Sequence, residues 1–115
     1  MQLLTVMKSK IHRATVTDAN VDYVGSITVD RDLLDRSEIR ANEFVHVWNV
    51  SNGQRFETYA IPAPKRSGTV CVNGAAAHLV KPGDKIIIVA FALTDEEITP
   101  RTVLVDDQNM FVKYL

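Results

Sequence analysis

The chain has 115 residues, 13 basic and 14 acidic side chains, a formal net charge of −1 and one cysteine. That length buries about two-thirds of the unfolded surface in a single domain, with no need of disulfides or a structural metal. The charge balance argues against nucleic acid and membrane surfaces as partners, and a lone Cys71 behind the early-charged "MQLLTVMKSK" points to a reducing cytoplasm.

In chain order, strand-like runs begin at Leu3 (LLTVM), His12 (HRATVTDA) and Ser26 (SITV). Further runs follow at Glu43 (EFVHVWNV), Arg55 (RFETYAI), Thr69 (TVCV), Lys85 (KIIIVAFA) and Arg101 (RTVLVD). Each is rich in β-branched or aromatic residues and bounded by turn chemistry. The "SNG" at 51–53 marks a hairpin and "KPGD" at 81–84 a second turn. Helical pattern is confined to "DRDLLDRSEI", where Asp30 can cap a helix carrying Leu33, Leu34 and Ile39, and to one short turn in "NGAAAHL". Eight short strands with so little helix predict an all-β fold, a small barrel with short helical segments, as one domain over residues 1–115. Phe44, Val45, Val47, Val70, Val72 and the run Ile86–Val89 are the expected core.

Standard catalytic constellations are missing. Ser26 lacks the G-x-S-x-G elbow of a serine hydrolase. His12, His46 and His78 are scattered without metal-ligand spacing and read as structural or surface residues, so no metal is expected. No glycine-rich phosphate loop is present. On pattern alone Gly25-Ser26 is a turn, Tyr59 a strand tyrosine, Arg55 a solvated strand residue, and the protein a non-enzymatic interaction module that stays one chain.

Five words change that reading: "KIHRATVT" at 10–17, "YVGSITVD" at 23–30, "VWNVSNGQRFETYAI" at 47–61, "VNGAAAH" at 72–78 and "KPGDKIII" at 81–88. In order and spacing they closely resemble the aspartate 1-decarboxylase family, small pyruvoyl-dependent enzymes with a double-psi β-barrel fold that make β-alanine for pantothenate and coenzyme A synthesis. The resemblance runs from about Leu4 to the end of the chain. It implies that Ser26 attacks the carbonyl of Gly25, so that cleavage gives a β chain of residues 1–25 and an α chain of residues 26–115. Ser26 becomes the pyruvoyl group that forms a Schiff base with L-aspartate, in place of a metal or pyridoxal phosphate.

The other roles are carried over by position. Thr58 and Asn73 match positions that serve the cleavage, and Tyr59 matches the proton donor, a role suited to a phenol because phenols keep their proton at neutral pH. Arg55 matches the carboxylate-binding arginine and Lys10 a second carboxylate partner, a use for which a guanidinium fork is suited. Gly74, Ala75 and Ala76 leave room for substrate against the backbone, and Thr58 borders the same site. His12, Tyr23, Trp48 and Ile87 match its polar and apolar surround. The resemblance further implies a homotetramer of four α and four β chains with sites between protomers, and admits a maturation factor as a further partner. Glycine at 25 is expected to give the hydroxyl access and to allow a backbone geometry other residues avoid.

Overall fold

A computed structural model describes residues 1–115. It contains nine strands: β1 (Leu4–Thr15), β2 (Asp18–Asn20), β3 (Ser26–Asp30), β4 (Phe44–Asn49), β5 (Arg55–Ala63), β6 (Val70–Asn73), β7 (Lys85–Thr94), β8 (Arg101–Val105) and β9 (Phe111–Tyr114). One helix, α1 (Arg31–Arg36), and one 3-10 helix (Gly74–Leu79) complete it. All strands join one sheet in the order β2-β6-β3-β5-β4-β7-β1-β8-β9. The all-β, barrel-like fold expected from the sequence is present, although no ladder joins β2 to β9.

The sheet wraps because each strand has one apolar face. Ile27 and Val29 of β3, Val45 and Val47 of β4, Val70 and Val72 of β6, and Ile86 and Ile88 of β7 are all fully buried in one cluster. The ends of the sheet are stitched by Asn109. Its amide oxygen accepts from Thr15 N at 2.7 Å, and its amide nitrogen donates to Thr15 O at 2.8 Å and Gly68 O at 2.9 Å. With Asn109 only 1% exposed, Asn109→Ala orphans buried backbone groups on two elements. We expect it to lower unfolding free energy by about 2–3 kcal/mol in urea titration.

Four expectations need correction. The break between Met7 and His12 does not exist: β1 is continuous, with register shifts at Met7/Ser9 and Ile11/Ala14. Arg13 adopts φ +64° at the second bulge, which lets Ile11 and Ala14, three residues apart, both face the core. Phe44 is 56% exposed rather than core, because the alternation that buries Val45 and Val47 turns Phe44 outward with His46 and Trp48. Helix α1 ends at Arg36, short of Ile39. The Ser37 hydroxyl bonds back to Leu33 O at 2.7 Å, and Glu38 at φ +57° takes the left-handed conformation that terminates a helix. Finally, β9 was not anticipated; it pairs antiparallel with β8 at the sheet edge.

The turns follow their residues. Gly83 at φ +94° follows Pro82, and Asp84 N closes the turn on Lys81 O at 3.1 Å. β4 and β5 pair antiparallel across the "SNG" loop, where Gly53 sits at φ +80°.

Candidate active site

Ser26 is the first residue of β3 and is 2% exposed. It faces Asn73 across the antiparallel β3–β6 ladder. The Asn73 amide nitrogen donates to Ser26 Oγ and to Thr28 Oγ1, each at 3.2 Å. Alternation puts Ser26 and Thr28 on the face opposite the buried Ile27 and Val29. Asn73 also precedes the 3-10 helix, where an asparagine would ordinarily cap the first N–H groups. Here its side chain makes no cap bond and is committed to the two hydroxyls.

The segment leading into Ser26 lies against Gly74. Gly74 has φ +68°, and a Cβ there would sit 2.6 Å from Gly25 Cα, 3.0 Å from Gly25 N and 3.3 Å from Tyr23 O. Position 74 therefore requires glycine on two independent grounds, conformation and room. Gly25 differs from expectation. It is not among the positive-φ glycines, and a Cβ on it would meet nothing closer than Asn73 O at 3.9 Å. The backbone freedom expected at Gly25 is used at Gly74 instead. Ala75 is exposed and Ala76 half-buried against the core cluster, while the Tyr23 side chain is 61% exposed.

On the other side of β3 runs β5, parallel, with Ile27 opposite Ala60. That pair opens the parallel ladder, one residue after both Ser26 and Tyr59. Thr58 and Tyr59 line an open concavity with Asn42, Phe44 and Glu57.

The remaining predicted residues gather further along the sheet. Arg55 pairs with Trp48 and Trp48 with Ile87 across β5, β4 and β7, and the Arg55 guanidinium carbon lies 4.6 Å from the Trp48 ring centroid. These three side chains line one groove. Lys10 is opposite Val89, two residues from Ile87 on β7, which leaves Arg55 and Lys10 three strand spacings, roughly 14 Å, apart across the sheet and two residues offset along it. Neither cation takes part in any of the five ion pairs of the chain, so both keep their charge free for an outside carboxylate.

His12 neighbours Lys10 on this face. Its Nδ1 is buried without a hydrogen-bond partner. Burial first, then the charges of Lys10 and Arg13, hold its pKa below the usual 6.5. The imidazole is therefore neutral at pH 7, and its NMR titration should show a midpoint below 6.5. Because the unfolded chain binds this proton more readily, acidification through that range removes stability.

Two members of the serine site were missed in the sequence, Thr28 and Cys71. The Cys71 thiol donates to Asn73 Oδ1 at 3.2 Å. Period-2 alternation carried the signal, since Thr28 is two residues from Ser26 and Cys71 two from Asn73.

The molecule is thus a small all-β, barrel-like protein with a buried serine beside a close approach of Gly25 and Gly74. A family model for aspartate decarboxylase matches residues 1–112. Curated relatives named aspartate 1-decarboxylase include one from Caldicellulosiruptor bescii, 58% identical over 114 residues, covering 96% of this chain and 89% of the relative. Another, from Carboxydothermus hydrogenoformans, is 56% identical over 114 residues, covering 96% of this chain and 90% of the relative. A third, from Heliobacterium modesticaldum, is 52% identical over 109 residues, covering 91% and 83%. The chain belongs to the aspartate decarboxylase family, and it is a decarboxylase, a lyase.

Proposed function

We propose that this protein converts L-aspartate to β-alanine and carbon dioxide for pantothenate synthesis, after cutting itself between Gly25 and Ser26. The observation that carries this reading is the buried Ser26 hydroxyl, bonded to Asn73 and preceded by a backbone segment that only glycine at 74 accommodates. In the cut, Ser26 Oγ bonds to the Gly25 carbonyl carbon, the Gly25–Ser26 C–N bond breaks, and the hydroxyl proton ends on the Ser26 nitrogen. Elimination of the resulting ester releases the Gly25 carboxylate and leaves a dehydroalanine. Water then displaces ammonia and leaves a ketone at residue 26. Thr58, on β5 next to Tyr59, has a hydroxyl suited to donate to the oxyanion of the first step.

The pyruvoyl group so formed would supply the electron sink that no ordinary side chain offers. Around it, Tyr59 holds a proton for the α carbon. Gly74 is buried under Gly25, while the exposed Ala75 and half-buried Ala76 leave room for a carboxylate near the backbone. Arg55 and Lys10 supply free positive charge for the carboxylates of aspartate, Trp48, Ile87 and Tyr23 limit water, and His12 belongs to the surrounding polar network.

Two features fit the quaternary arrangement. Residues 1–25 contribute β1, hydrogen-bonded to both β7 and β8, and β2, paired with β6, so a cut chain stays assembled. The groove of Arg55, Trp48 and Ile87 spans β5, β4 and β7 and does not include Ser26, as expected if one protomer's groove serves its neighbour's serine in a tetramer. Exposed Leu4, Phe44 and Leu93 provide apolar area for such contacts. The test is borohydride reduction of the protein with aspartate. The expected result is a mass increase confined to the 26–115 fragment; an unmodified fragment in a protein that turns over aspartate would contradict it.

A further inference from the structure

Cys71 stands outside every role assigned so far, yet it touches the serine site through one intermediary. Its half-buried thiol donates to Asn73 Oδ1 at 3.2 Å, while the Asn73 amide nitrogen donates to Ser26 Oγ and Thr28 Oγ1. An asparagine amide can sit either way round, and its neighbours decide which. The hydroxyls of Ser26 and Thr28 can each donate or accept, so neither discriminates. The thiol does, because sulfur is a poor acceptor and its hydrogen needs an oxygen.

The orientation matters to the chemistry. With Nδ2 toward Ser26, Oγ receives a hydrogen bond that stabilises it as its proton is lost, and that proton is free to leave. Reversed, the Ser26 hydrogen would be held on an amide oxygen, too weak a base to take it. We propose that Cys71 is a positioning residue for self-cleavage, its thiol setting the Asn73 amide with the nitrogen toward Ser26. Burial, and then the neighbouring Asp18, push the Cys71 thiol up from its ordinary value, so it keeps the hydrogen it donates. The inference rests on the self-cleavage reading above and adds to it the residue that orients the nucleophile's partner.

The test compares Cys71→Val, similar in shape but without a donor, with Cys71→Ser, which restores one. Intact mass follows conversion of freshly expressed precursor at neutral pH. Cys71→Val should slow cleavage about 3- to 10-fold, the range for one neutral hydrogen bond, and Cys71→Ser should recover most of the parental rate. In an Asn73→Ala background, Cys71→Val should have no further effect. Should Cys71→Val fold poorly, Cys71→Ala makes the same comparison. Parental cleavage rates in the donor-free variants, an equal loss in Cys71→Ser, or an undiminished effect without Asn73 would each overturn the proposal while leaving self-cleavage intact. A parent chain that never cuts would remove the reading beneath it.

Discussion

Gly74→Ala should leave a protein that folds but cuts itself at least ~100-fold more slowly than the parent. The added methyl would lie 2.6 Å from Gly25 Cα and 3.0 Å from Gly25 N, both backbone atoms that cannot swing aside as a side-chain tip would. Relief requires moving the segment that carries the scissile carbonyl by about 1 Å, a displacement that typically costs 10²-fold when a nucleophile must meet a fixed target. The φ of +68° adds the left-handed penalty, about 1–2 kcal/mol. Timed intact-mass measurement reads the outcome directly. Cleavage at the parental rate would mean that the Tyr23–Gly25 segment does not need its present seat on Gly74.

Tyr59→Phe separates maturation from turnover. The ring stays and the proton goes, so the variant should still cut at Gly25–Ser26 while β-alanine formation per cleaved protomer falls about 10²- to 10⁴-fold, the range for losing a general acid. The position supports this: Tyr59 precedes Ala60, the β5 partner of Ile27 next to Ser26, and lines an open concavity that a small substrate could enter. Turnover within twofold of the parent would assign the proton to another group.

Much of this was legible in the sequence, for reasons that differ by element. Strands β4, β6 and β7 declare themselves because alternating or continuous apolar runs survive intact between turn residues, and their valines and isoleucines are buried as expected except Ile87, which is half-buried and lines the Arg55 groove. Strand β1 reads as two runs in the sequence because its bulges break the period of two; nothing in "MKSKIHRA" announces that Arg13 takes a positive φ. The helix was drawn too long because Leu33, Leu34 and Ile39 all reach the core, although Ile39 does so from beyond the helix end, past Ser37. At the site, the family words supplied Ser26, Asn73 and Gly74 by position, and the structure adds why these three go together. Thr28 and Cys71 carried no word of their own. They enter through pairing of β3 with β6, a long-range register that local pattern cannot set.

The demand for glycine at 74 and its absence at 25 shows how a motif can be right for a different physical reason. Gly25 has room for a Cβ; Gly74 has none, and it seats Gly25 Cα and N and the Tyr23 carbonyl oxygen.

The most direct measurement is the intact mass of the active protein under denaturing conditions. Two fragments, residues 1–25 ending in a free glycine carboxylate and residues 26–115 with a ketone in place of the serine amine, are what the chemistry at Ser26 demands. A single uncut chain of 12.8 kDa that decarboxylates aspartate with serine still at position 26 would contradict it outright.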